Sequence, residues 1–180
     1  GLISTLTGKQ TEDFFKKLHK NHWGKNNNLR DIVDWPQAQP PGGYNNLTHY
    51  IGSEKEYPGE NDGYVYQKYN AVVNALFFGC LKIMEKIAID LGKVEDALLF
   101  KKYYERVKIQ YLKTFQEPSS GIINDGQDTE HKSQHANMFA LSFGLIPKKN
   151  IDQVVKYISS RGMSCSVYGS QILLESLFEN

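Results

Sequence analysis

The sequence predicts an all-α fold built from helical hairpins, and three observations predict it. Apolar residues recur at three- and four-residue intervals through two long stretches between Tyr66 and Phe115, the spacing of one helix face. Helix stops follow at Gly92, at Gly144 with Pro147, and at Gly162, where a left-handed residue or a missing N–H ends a helix. The links left between the stretches are so short that neighbouring helices must run antiparallel.

Residues 1 to 65 form a loop-rich segment, and residues 66 to 180 carry the hairpins of the same single unit. Apart from a helix expected over "TEDFFKKLHK", the first segment is rich in Gly, Asn and Pro, with "NNN", "QPPGG" and "PGENDG", the composition of long loops. Loops of that length in a compact domain are functional or disordered. These carry Trp, Tyr, His and Asp and read as the lining of a cleft. Within "RDIVDWPQAQPPGGY", residues 30 to 44, the β-branched pair Ile32 and Val33 favours extended backbone and Pro36 keeps Trp35 out of the helical region. Asp34 and Trp35 thus sit on a short extended arm entering a loop.

The first helix is expected from Tyr66 to Leu91, with positions 72, 76, 80, 83, 84, 87, 88 and 91 on its buried face. The second begins with Glu95 and Asp96, whose charge suits a helix N-terminus, and repeats the period through Leu99, Tyr103, Val107 and Tyr111. A second hairpin pairs "SQHANMFALSFGL" with "NIDQVVKYISS", the latter capped by Asn150. "SVYGSQILLESLFEN" opens a further helix.

At 180 residues the chain suits one domain, able to bury about two-thirds of its unfolded surface. A net charge of +1, with acids and bases mixed along the chain, offers no basic stripe for nucleic acid or anionic lipid. No apolar run is long enough to span a bilayer. The opening "GLISTLTGKQ" lacks the pattern of a secretory signal, and localisation is left open. Cys80 and Cys165 have neither CxxC nor Cys/His ligand spacing, and both read as packing residues. "NLT" at 46 to 48 fits a glycosylation acceptor, a pattern short enough to arise by chance.

Three segments taken together resemble the catalytic domain of bacterial α-L-rhamnosidases: "DIVDWP", "YNAVVNALFFGCLKIMEKIAIDLGKVEDA", and the stretch from "EHKSQHANMFALSFGLIP" to "SSRGMSCSVYGSQILLESLFE". The resemblance implies a six-hairpin (α/α) toroid with sugar bound at its mouth, and inverting hydrolysis of terminal rhamnose without a cofactor, calcium being used by some relatives. The implied partner is a rhamnose-containing carbohydrate. An inverting glycosidase needs an acid and a base about 6.5 to 9.5 Å apart. The family's acid motif lies upstream of "DWP" and its base downstream of "VYG", and neither motif is found in these 180 residues. The expectation is therefore a partial toroid, about half of the barrel, an internal fragment inactive by itself. Apolar helix faces left without neighbours would then drive self-association or lower stability.

The resemblance places Asp34 and Trp35 in the rhamnose subsite, since aromatic faces pack on sugar C–H surfaces and carboxylates accept from hydroxyls. On residue type alone, a Trp anchoring the loop and an Asp capping a turn remains the plainer reading. His131 and His135 stand one helical turn apart, a spacing that suits metal ligands, but no HExxH glutamate lies between them; the expectation is that the pair hydrogen-bonds within the hairpin or lies near the barrel mouth, where His135 is a candidate substrate contact. Tyr168, beside Gly169 at a helix start, is a further candidate at the cleft, though a Tyr at helical spacing is more often core. Asp125, Asp128 and Glu130 read as a solvated turn, and neither Glu117 nor Glu130 is taken as catalytic. Asn74 interrupts an apolar face and requires a hydrogen-bonded setting.

Two other readings stay open. Another six-hairpin sugar hydrolase, glucoamylase-like or trehalase-like, shares the toroid. A non-catalytic helical-hairpin module for protein partners would show a regular repeat of about 34 to 47 residues, and no such period is found.

Overall fold

Asn70 sets the first helix. Its backbone is extended and its side chain accepts from Val73 N at 2.8 Å, satisfying a donor that the first turn leaves open. The computed structural model describes residues 1–3, 33–34, 62–65 and 67–180. Helix α1 spans Ala71–Asp90, α2 Val94–Phe115, α3 Gln134–Ser142, α4 Ile151–Ser160 after a 3-10 turn at Lys148–Asn150, and α5 Val167–Phe178. The described residues contain no strand, only two isolated antiparallel bridges, Asn70 with Gly126 and Gln116 with Ile123. The helix expected over 11 to 20 and the acceptor at 46 to 48 lie outside the described residues.

The expected stops hold. Gly92 adopts φ +67° and Lys93 N donates to Ala88 O at 2.7 Å, so three residues turn α1 back against α2. Gly144, at φ +74°, ends the turn after α3. Asn150 does precede α4 but makes no side-chain cap. Its amide instead occupies the space beside Gly121, where an added Cβ would lie 2.3 Å from Nδ2.

The buried face of α1 differs from the expected one. Val72 and Ala88 are buried, but Leu76, Cys80, Ile83, Met84, Ile87 and Leu91 are exposed. The inward face is Ala71, Ala75, Phe78 and Gly79. The helix is apolar on more than one side, so spacing alone could not choose between stripes. Close approach chose: a Cβ on Gly79 would stand 2.6 Å from the Phe143 ring, and only a side without bulk admits that neighbour. Cys80 is thus a surface thiol and not a packing residue, while Cys165 is buried. In α2 the expected period is met at Val107 and Tyr111, with Phe115 continuing it, whereas Leu99 and Tyr103 face outward.

Helix α3 is the central element. Every residue from Gln134 to Leu141 is buried, and α1, α4 and α5 all pack on it. Ala136 and Ala140 let neighbours approach closely. Around it Val107, Tyr111, Phe115, Ile123, Met138, Leu145, Val154, Ile158 and Leu173 form one continuous core. Ile3 is tied to α1 through Asn74, whose Oδ1 accepts from Ile3 N at 2.9 Å and whose Nδ2 donates to Ile3 O at 3.0 Å. The amide on the apolar face is therefore satisfied, as burial demands.

Gly126 closes the connection between α2 and α3 against the start of α1. A Cβ there would lie 2.8 Å from the backbone carbonyl of Tyr69, an atom that cannot step aside as a side-chain tip can. Gly126→Ala should lower stability by about 1–3 kcal/mol, read as a fall in the urea midpoint; an unchanged midpoint would show that the backbone yields.

Candidate functional site

Three buried aspartates gather at one end of the helices. The N-termini of α1, α3 and α5 meet there with the C-terminus of α4, because each aspartate bridges at least two of these elements.

Asp125 joins α1 to α3. Its Oδ1 accepts from Ser133 N at 2.7 Å, and its Oδ2 from Val65 N at 2.9 Å and His131 Nδ1 at 2.5 Å. Its backbone oxygen takes Ala71 N and the Tyr64 hydroxyl, both at 2.7 Å. The expectation of a solvated turn fails for Asp125, which is fully buried; Asp128 and Glu130 are exposed. Ionic partnership with His131, itself 37% exposed at the side chain, offsets the desolvation of the carboxylate.

Asp62 joins α3 to α4. Asp62 and Gly63 both adopt left-handed backbone, at φ 52° and 67°, a turn that suits Asp followed by Gly. Asp62 Oδ2 accepts from Gln134 N at 2.6 Å and Arg161 Nε at 3.1 Å, and Oδ1 accepts from the second guanidinium nitrogen at 2.5 Å. This two-point contact raises the Arg161 pKa above its usual value. Gln134 completes the junction by donating to Gly162 O at 2.7 Å and Ile158 O at 3.1 Å, while Ser164 N donates to its Oε1 at 3.0 Å.

Asp34 joins its own stretch of chain to α3 and α5. His135 Nε2 donates to its Oδ2 at 2.7 Å, Ser166 N donates to the same oxygen at 3.1 Å, and the Ser166 hydroxyl donates to Oδ1. Ser166 is also the N-cap of α5, accepting from Gly169 N at 3.1 Å. Gly169 makes the approach feasible, since a Cβ there would lie 2.5 Å from Asp34 Oδ2. The Asp34 side chain is only 1% exposed. Its partners are thus protein donors, where the sequence suggested sugar hydroxyls. Donation through Nε2 leaves His135 Nδ1 as a buried acceptor without a hydrogen-bond partner among the described residues.

The candidates are brought together only in part. Asp34 and His135 touch, across 101 residues of sequence. Tyr168 stands in the first turn of α5 and is 85% exposed, so it is not a core residue. Trp35 lies outside the described residues. His131 and His135 do not share a helix face, because α3 begins at Gln134 and the two rings turn to different carboxylates. Asp62, Arg161, Gln134 and the caps Ser133 and Ser166 escaped the sequence reading. The Ser caps had a local signal, a serine just ahead of an apolar run; Asp62 had none for its partners, which lie 72 and 99 residues away.

A polar end of converging helix N-termini on an all-α hairpin scaffold fits the class to which the comparisons assign the chain, the six-hairpin glycosidases. Residues 9–180 match the family described as bacterial alpha-L-rhamnosidase 6 hairpin glycosidase domain, and the chain belongs to that family. The scaffold is accordingly that of a glycoside hydrolase. Comparison with curated proteins gives no match. No helix among the described residues is long and apolar enough to cross a membrane.

The Asp125 carboxylate, chiefly through its hydrogen bond, holds the His131 pKa above the ordinary 6.5, against a smaller opposing effect of burial. The folded protein therefore retains the proton more tightly than the unfolded chain. The stabilisation is fully present below about pH 6.5 and is lost as pH rises through the raised value. His131→Gln should lower the urea midpoint in mildly acidic buffer and progressively less in alkaline buffer. An equal loss at every pH would mean that the ion pair contributes nothing.

Proposed function

We propose that the protein serves the inverting hydrolysis of terminal L-rhamnose from glycans or glycosides, and that these 180 residues form one wall of the sugar pocket. The observation that carries the reading is the family match over residues 9–180, joined to the contacts that fix Asp34 to the N-termini of α3 and α5. Trp35, adjacent to the pinned Asp34, supplies the aromatic face for the sugar C–H surface. Asp34 and His135 anchor the residue just before it, and Tyr168 contributes an exposed phenol in the first turn of α5.

The acid and base of the reaction come, on this reading, from polypeptide other than these residues. The buried carboxylates of Asp34, Asp62 and Asp125 are each committed to protein donors. Glu117 has its pKa lowered by the hydroxyl of Ser120 and the ammonium of Lys132, the opposite of what a proton donor at neutral pH requires. The 180-residue protein should accordingly leave an aryl α-L-rhamnoside intact, and measurable turnover would refute the assignment.

Binding is the sharper test. Titration with L-rhamnose should change the tryptophan fluorescence and saturate; Trp35→Phe should abolish the change while Trp23 still emits. Asp34→Asn places an amide donor against Ser166 and His135 and should cost about 2–4 kcal/mol of stability as well as weakening the response. A flat titration of the folded protein, or a full response from Trp35→Phe, would end the subsite claim.

The outward apolar residues of α1 and α2, among them Ile83, Ile87, Leu91, Val94 and Leu98, support self-association through these faces. Sedimentation should give a weight-average mass that rises with concentration. A constant monomer mass over the whole range would exclude it.

A further inference from the structure

Two basic side chains, Arg161 and His131, reach the surface at the N-terminal end of α3, each held by a buried carboxylate. Arg161 commits Nε and one terminal nitrogen to Asp62, and His131 commits Nδ1 to Asp125. The carboxylates are neighbours, because they accept from the consecutive backbone N–H groups of Gln134 and Ser133. The Asp62–Gly63 turn lies against both: Arg161 sits on Asp62, and the His131 ring covers Gly63, where a Cβ would be 3.5 Å from Nε2. Both side chains are 37% exposed. The remaining terminal nitrogen of Arg161 and Nε2 of His131 have no hydrogen-bond partner among the described residues.

This arrangement turns donors toward solvent and hides the acceptors. Every carboxylate oxygen of Asp62 and Asp125 already accepts at least one protein hydrogen bond. A neutral sugar hydroxyl presents both a donor and an acceptor, whereas an oxyanion only accepts, and with a charged donor its hydrogen bonds are short and strong. The Arg fork is held by Asp62 before any ligand arrives, so little side-chain freedom is lost on binding.

We infer that the Arg161 and His131 pair beside the Asp62–Gly63 turn is a subsite for an anionic oxygen group carried by a saccharide, a uronate carboxylate or a sulfate ester. The inference rests on the glycosidase reading for the saccharide and on this geometry for the charge. It would let the protein choose acidic glycans through contacts separate from the Trp35 wall.

The test uses the 180-residue protein at fixed pH, following the His131 ring resonances during titration with methyl glucuronoside, methyl glucoside and galactose 6-sulfate. The glucuronoside, the sulfated sugar or both should shift His131 saturably, the tighter of the two naming the source of the anion, and the neutral glucoside should not. Arg161→Gln should weaken the response about tenfold or more, the scale of a lost charged hydrogen bond. Should that variant fold poorly, Arg161→Lys retains the charge without the fork and should give an intermediate loss. An unmoved His131 with both anionic sugars, an equal shift with the glucoside, or inorganic sulfate binding as tightly as the sulfated sugar would overturn the proposal. Rhamnose binding read from Trp35 is scored separately, so either claim can fail alone.

Discussion

The structure turns on a carboxylate with no access to water. Asp125 receives Ser133, Val65 and His131 on its side chain and Ala71 and Tyr64 on its carbonyl, while its own N–H donates to His131 O. Burying one carboxylate costs several kcal/mol even after relaxation, so this residue is tolerated only because its lone pairs are filled from several directions. That requirement fixes the connection between α2 and α3, the entry to α1 and the cap of α3 in a single arrangement. Helix packing alone would allow the hairpins to slide against each other; a carboxylate that loses a donor in every shifted register does not.

Asp62 and Asp34 repeat the device on the flanks. Each ties a point ahead of α1 to the N-terminal end of α3 and then onward, to Arg161 after α4 or to Ser166 before α5. Helix N-termini present unsatisfied N–H groups and a partial positive charge, and aspartate answers both. The polar end is thus a direct result of helix chemistry: three N-termini converge, and acidic residues from elsewhere in the chain complete them. The outer sides of α1 and α2 expose aliphatic side chains instead.

Local signals made the helices legible. The stops at Gly92, Gly144 and Gly162 and the acids opening α2 are short-range features whose physics acts within a turn. What escaped was decided by distant partners. Asp34 meets His135 across 101 residues and Ser166 across 132, and Asp62 meets Gln134 across 72; no window along the chain contains both members. The same cause misplaced the inner face of α1, where the largest apolar residues looked like core and the true contact was the gap left by Gly79 for Phe143. The family resemblance supplied the hairpin scaffold, but spacing could not reveal that Asp34 would be occupied by its own protein.

The unequal accessibility of the two cysteines has a practical side. An alkylating reagent applied under native conditions will modify position 80 and leave position 165 intact until α5 and the arm carrying Asp34 separate from α3. The second modification therefore clocks the opening of the polar end, and one mass spectrum taken over time distinguishes molecules that have breathed there from those that have not.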